Sequence, residues 1–202
     1  MKKAVKLWPL LLVLCSCHSR KTTECPLGYV QYLEDPAHEC RKTVKAGNIL
    51  YTIQLATPAY MAGKELVDRK GQVNPQAWQQ RLADLKGHTF FIVKMGLQNE
   101  QGKMQGTAMT DPAHAPQMEA YYDQAAAADF SLQKGSSTLK PVTYHFENNY
   151  GLSPENSMVV GFDTGADTSA LVLLFNDQYT HTPIIRAEFT GKAISQLPNI
   201  QL

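Results

Sequence analysis

His145 and Glu147 form the simplest acid–base pair in the chain. Residues 142–147 alternate, with Val142, Tyr144 and Phe146 on one side and Thr143, His145 and Glu147 on the other. An imidazole and a carboxylate on one strand face could move protons or hold a metal. An ordinary polar sheet face reads the same way. Asp111, His114 and Glu119 lie in or beside the Pro-bounded stretch DPAHAP, and loops carry function more often than cores do. Tyr121 and Tyr122 follow, as an aromatic contact surface or as packing. Cys25, His38 and Cys40 are three metal-capable groups without standard zinc spacing. No serine-nucleophile, zinc-protease, phosphate-loop or dinucleotide motif is spelled out.

Asp163-Thr164-Gly165 resembles the catalytic tripeptide of aspartic proteases and follows the strand-like run 158–162. In those enzymes two carboxylates share a proton. This chain has one copy, and turn chemistry accounts for it more simply. Asp163 and Asp167 could instead clasp Ca²⁺, although no full calcium loop is present. The reading is therefore non-enzymatic, with no catalytic residue, metal or cofactor assigned. Two alternatives stay open: a hydrolase using Asp163 or the His145/Glu147 pair, and a solute- or metal-binding protein.

The first residues supply an address. Lys2, Lys3 and Lys6 precede an apolar run at 7–14 broken only by Pro9. That run falls well short of the ~20 residues that cross a bilayer as a helix, and it has the form of a secretory signal. Leu14-Cys15-Ser16-Cys17 resembles the bacterial lipobox, an aliphatic residue and a small one ahead of an obligatory Cys. The resemblance implies cleavage after Ser16, lipidation of Cys17 and three acyl chains on that residue. One chain alone holds only marginally at about 0.8 kcal/mol per buried CH₂, so three should make release negligible. His18, where an Asp would favour inner-membrane retention, implies the outer membrane. The implied partners are the membrane and an envelope protein.

Removal of the first sixteen of 202 residues leaves 186, which suits one domain. It also removes three lysines, leaving 16 basic against 18 acidic residues, a net charge of −2. No basic stretch is dense enough to track phosphates, so a nucleic-acid partner is not expected. Hydrophobic residues make up 44% of the chain, enough for a core. Cys25 and Cys40 remain in an oxidising compartment and are the candidate disulfide. It would close a loop of about 15 residues worth ~3 kcal/mol, with free thiols or a metal site as the alternatives.

Residues 17–28 read as a lipidated tether and 29–202 as a single domain. Residues 49–55 are rich in β-branched and aromatic side chains and predict a strand. Residues 58–63 predict a turn or short helix. Asn74 and Pro75 open a helix whose stripe is Trp78, Leu82 and Leu85, with Gly87 ending it. Residues 88–97 predict a buried strand that turns at 99–103 into 104–109. The Ala-rich 117–128 predicts an inserted helix. Strands are then expected at 130–132, 142–146, 158–162, 170–175 and 185–189, separated by turns, as in an antiparallel sandwich.

Residues 129–190 run DFSLQKGSSTLKP, GLSPENSMVVGFD, ALVLLFND and IIRAEF, with FFIVKMGLQNEQGK upstream. Together these resemble the immunoglobulin-like domain of many small bacterial lipoproteins, over about residues 90–190. The resemblance implies an immunoglobulin-like β-sandwich with one or two inserted helices and an envelope role, and it brings no catalytic residue.

Overall fold

The computed structural model describes residues 23–98, 104–106, 115–149, 153–165 and 169–202. Cys17 with its lipobox, Asp111, His114 and Asp167 lie outside the described residues.

Regular structure begins at Thr23, inside the stretch expected as tether. β1 (Thr23–Glu24) leads directly into α1 (Pro26–Glu34). Cys25 Sγ accepts the Gly28 N–H at 3.4 Å, Pro26 occupies the helix start, and Tyr29, Val30 and Leu33 bury one face. α1 runs against expectation because Gly28 and its bulky residues weaken local helix preference, which packing overrides. A 3₁₀ turn at Pro36–His38 precedes β2 (Arg41–Ala46), and Gly47 turns the chain into β3 (Ile49–Ala56).

α2 (Pro58–Leu66) is capped by Thr57, whose Oγ1 accepts the Tyr60 N–H at 3.2 Å. It meets α1 closely at Gly63, where an added Cβ would lie 2.6 Å from Val30 Cγ2. α3 (Pro75–Asp84) forms as the sequence predicts, with Asn74 Oδ1 accepting from the Gln76 and Ala77 N–H groups. Trp78 and Leu85 are buried and Leu82 half-buried. Arg81 ties α3 to α2 through two 2.7 Å bonds to Glu65.

β4 (His88–Gln98) follows, with the short β5 (Met104–Gly106) paired to its far end. The helix expected over 117–128 is only partly α: α4 (Ala115–Ala120) gives way to a π turn at Tyr121–Ala125 and a 3₁₀ turn at Ala126–Asp129. β6 (Phe130–Lys134) and β7 (Ser137–Leu139) form a hairpin at Gly135 (φ +58°). β8 (Thr143–Glu147), β9 (Asn156–Asp163), β10 (Leu171–Phe175) and β11 (Ile185–Phe189) come next, then α5 (Gly191–Ser195) and β12 (Asn199–Ile200). β12 pairs in parallel with β1, bringing the two ends of the described domain together. More helices decorate the domain than the one or two expected. No helix among the described residues is long and apolar enough to cross a membrane.

The architecture is mainly β, in antiparallel sheets consistent with a sandwich. The larger sheet has the order β2-β3-β4-β9-β8 and the smaller β11-β10-β6-β7. In the larger sheet Ile53, Val93 and Met158 stand in one cross-strand row and Leu55, Phe91, Val160 and Tyr144 in the next. All but Tyr144 in these rows are buried, against Phe130, Leu132, Leu171, Leu173, Phe175, Ile185 and Phe189 of the smaller sheet. Phe91 meets Phe189 at 5.4 Å between ring centroids, and Tyr51 meets Phe175 at 6.2 Å. The strands expected at 158–162, 170–175 and 185–189 form, and Met158, Val160, Phe162, Leu171, Leu173, Phe175, Ile185, Ala187 and Phe189 are their buried side chains. Val142 departs from its expected inward face: it sits just before β8 and is 58% exposed.

The layers are also joined by a buried polar knot. Asp177, in the connection from β10 to β11, is 1% exposed. Its Oδ2 accepts the Tyr51 hydroxyl at 2.8 Å and the Tyr122 hydroxyl at 2.7 Å, and its Oδ1 accepts the Tyr179 and Thr180 N–H groups. Burial, and then the charge of Asp177, push both tyrosine hydroxyls far above their ordinary range, so both remain donors. One carboxylate thus joins the larger sheet, the π turn and the β10–β11 connection. Asp177→Ala would strand two buried hydroxyls and should lower the unfolding free energy by about 3 kcal/mol or more. Tyr122→Phe removes a single donor and should cost about 1–2 kcal/mol. Urea denaturation followed by circular dichroism measures both.

Candidate functional site

The larger sheet has a second face, turned away from the sandwich. Strand register puts Thr43, Thr52, Lys94, Ser157 and Glu147 in one cross-strand row. The neighbouring row is Arg41, Gln54, Ile92, Val159 and His145. A third holds Ala56, Phe90, Gly161 and Thr143. Alternation on each strand makes this face hydroxyl-rich and charged where the other is aromatic.

α2 stands against this face as a wall, held from below by the α1 contact at Gly63 and from the side by α3. Between α2 and the first two rows lies a cleft of about 600 Å³, lined by Glu34, Tyr60, Met61 and Lys64 from the helices and by the row residues from the sheet. A second cleft of about 580 Å³ continues past Met61 and Glu65 towards His88, Phe90, Thr143 and His145. The two share Met61, Glu65, Glu147 and Val159, so together they form one groove across the strands.

Most of its charges are paired. Lys94 Nζ lies 3.4 Å from Glu155, Lys64 Nζ lies 3.2 Å from Glu34, and Tyr60 donates to Glu34 at 2.8 Å. Burial opposes ionisation of Glu34, but the Tyr60 hydroxyl and the Lys64 ammonium outweigh it and hold the carboxyl below its ordinary range. Arg41 Nε donates to Gln54 Oε1 at 3.0 Å, which aims the guanidinium without neutralising it. Gln54 is itself fixed, its amide donating to the carbonyls of Leu33, Cys40 and Leu55. Among the described residues Arg41 and Glu147 have no ion-pair partner.

Of the residues singled out from the sequence, His145 and Glu147 stand exposed on this face, on the edge strand β8. Asp163 is exposed at the end of β9, while Thr164 is buried and locks a turn. Its Oγ1 bonds Thr89 Oγ1 at 2.8 Å, its N–H donates to the Gly87 carbonyl at 3.0 Å, and its own carbonyl accepts Lys134 Nζ. Gly165 follows at φ +66°. The tripeptide is engaged as a turn. Tyr122 is fully buried and Tyr121, half-buried, donates to Asp129 at 2.6 Å, so this pair packs and braces. Glu119 is half-buried on α4.

The candidate disulfide is not formed in this structure. Cys25 is exposed and caps α1, whereas Cys40 is buried and its Sγ donates to the His38 carbonyl at 3.4 Å. The helix that intervenes, unforeseen in the sequence, holds the two sulfurs to separate tasks. His38 stacks on Tyr32 at 3.5 Å between centroids, and its Nδ1 bonds the Tyr32 carbonyl. Among the described residues no three His, Cys, Asp or Glu side chains converge as a metal site.

Sequence reasoning missed Arg41, Lys94, Glu155 and the wall residues Tyr60 and Lys64. The alternation of RKTVKA at 41–46 marks a strand with a polar face, but its neighbours are set by pairing at long range. No family model matches the chain, and no curated protein or solved structure matches it either.

Burial pushes the Cys40 thiol up to about 11, against a smaller opposing effect of Lys42. At pH 8 the native protein should therefore take up one equivalent of iodoacetamide, at Cys25, and Cys40 should react only in denaturant; intact-mass spectrometry reads this on the cleaved chain with Cys17 lipidated or replaced. A Cβ added to Gly161 would lie 2.5 Å from Thr143 Cγ2 and 2.8 Å from the Phe90 ring. Gly161→Ala should cost about 1–3 kcal/mol in thermal or urea unfolding.

Proposed function

We propose that this chain is a lipid-anchored, non-catalytic envelope lipoprotein whose outer-sheet groove receives a segment of another envelope component. Acylated Cys17 holds it at the membrane, and His18 favours the outer membrane. The domain is read as an immunoglobulin-like sandwich elaborated by helices, in keeping with the chain's crossing between sheets at β7–β8 and β9–β10. The observation that carries the binding reading is the groove itself. It is a long, mixed-charge surface on a braced sheet, and among the described residues Arg41 and Glu147 are in no ion pair. By contrast, the buried polar side chains Gln54, Thr164 and Asp177 are bonded within the fold. A concave surface with a few oriented polar groups is the common form of a binding site.

Radiolabelled palmitate should enter the wild-type protein and not Cys17→Ala; equal labelling of the two would remove the anchor. A photo-crosslinking residue placed at Thr52, on the groove floor, should give discrete adducts in cells. The same residue at Thr138, on the exposed edge strand β7, should not. Adducts from both positions, or from neither, would remove the groove.

One observation favours a second reading, a lipid-anchored hydrolase: His145 and Glu147 line the groove where its two clefts join. Turnover lost in His145→Ala with the fold retained would replace the first reading with this one.

A further inference from the structure

We infer that the groove takes an extended peptide segment whose two ends carry opposite charges. The inference rests on the groove's being the binding surface and names what it binds. The floor crosses five strands, from Arg41 on β2 to Glu147 on β8. Four inter-strand steps of about 4.8 Å, with the two-residue offset between Arg41 and Thr43, put the strand positions of these groups roughly 20 Å apart. An extended chain at about 3.4 Å per residue spans that distance in roughly six residues.

The end groups differ in sign, and among the described residues neither is in an ion pair, although the charge of Arg41 helps to hold Glu34 ionised. Arg41 is oriented by Gln54 and presents a fork suited to a carboxylate. Glu147 is exposed at the other end and suits an ammonium or guanidinium. Between them, hydroxyls of Thr43, Thr52 and Ser157 occupy one row, and Ile92 and Val159 lie in the next, beneath Met61 of α2. Two parallel tracks, one polar and one apolar, match the two-sided alternation of an extended peptide. The Lys94–Glu155 pair, exposed at Lys94 and half-buried at Glu155, lies midway and offers a donor and an acceptor to peptide amides.

Other polymers fit less well. In the larger cleft the carboxylates of Glu34, Glu65, Glu147 and Glu155 offset the cations Arg41, Lys64 and Lys94, so it offers a polyanion no net positive charge. A glycan would meet only one aromatic side chain in the larger cleft, Tyr60, whose hydroxyl is already bonded to Glu34.

The test is calorimetric titration of the soluble domain with three capped hexapeptides sharing a Thr-Val-Thr-Val centre. One carries Lys and Asp at its two ends, one Lys at both, and one Asp at both. Wild type should prefer the Lys/Asp peptide by about tenfold, the scale of one charge pair in each competitor turned from attractive to repulsive. Arg41→Glu should shift the preference to the Lys/Lys peptide and Glu147→Lys to the Asp/Asp peptide. The double variant, with its charges exchanged, should restore the Lys/Asp preference, and the switched preference of each single variant shows that it folds. A flat ranking in wild type, or preferences that ignore the exchanges, overturns the inference. If the ranking is flat while Ser157→Trp still abolishes the Thr52 crosslinks, the groove reading survives and only the peptide assignment falls.

Discussion

The pairing register of β3, β4 and β9 is the constraint on which both halves of this molecule depend. Side chains on a strand alternate with period two, so a slip of one residue would exchange the faces of a whole strand. In the observed register Ile53, Val93 and Met158 meet inside the sandwich. The same register sets Thr52, Lys94 and Ser157 side by side outside. Core and groove are therefore two readings of one hydrogen-bond ladder. The dry face supplies the energy that holds the register, because burying apolar surface contributes about 25 cal/mol per Å² and charged rows contribute little.

Polar side chains divide by depth. Three of the buried ones tie distant parts of the chain: Asp177 joins β3 to the π turn, Gln54 joins β3 to α1, and Thr164 joins the β9 turn to β4, while Asn156 accepts the nearby Asn149 N–H. Among the described residues every buried side-chain nitrogen and oxygen has a hydrogen-bond partner, as desolvation requires. Outward-facing charges keep their water and remain able to exchange partners. α2 serves both regimes, since its inner side packs on α1 through Gly63 while Tyr60, Met61 and Lys64 turn towards the groove.

Several elements were legible because their signals are local. α3 carries its own cap, first-turn proline and apolar stripe, and it forms within a residue or so of the expected limits. β9, β10 and β11 declare their buried faces by alternation alone. His145 and Glu147 were correctly placed on one exposed face by the same rule. α1 was hidden because its helical state depends on burying Tyr29, Val30 and Leu33 against partners remote in sequence. Asp177 carried no mark of its role, since an Asp in a turn-like stretch is ordinary and its tyrosine partners lie 126 and 55 residues away.

The amino-acid sequence by itself determined the mainly β character, most of the long strands of the core and, for most of them, which side chains share a face. These follow from composition and from periods of two and 3.6 residues, which neighbouring residues enforce. Tertiary structure alone decided that β9 lies between β4 and β8, that α2 walls the outer face, and that Arg41 and Glu147 end one groove. Those facts come from pairing between segments as remote in sequence as His88 and Asp163, chosen by how well two apolar faces fit together, and no local pattern encodes that choice.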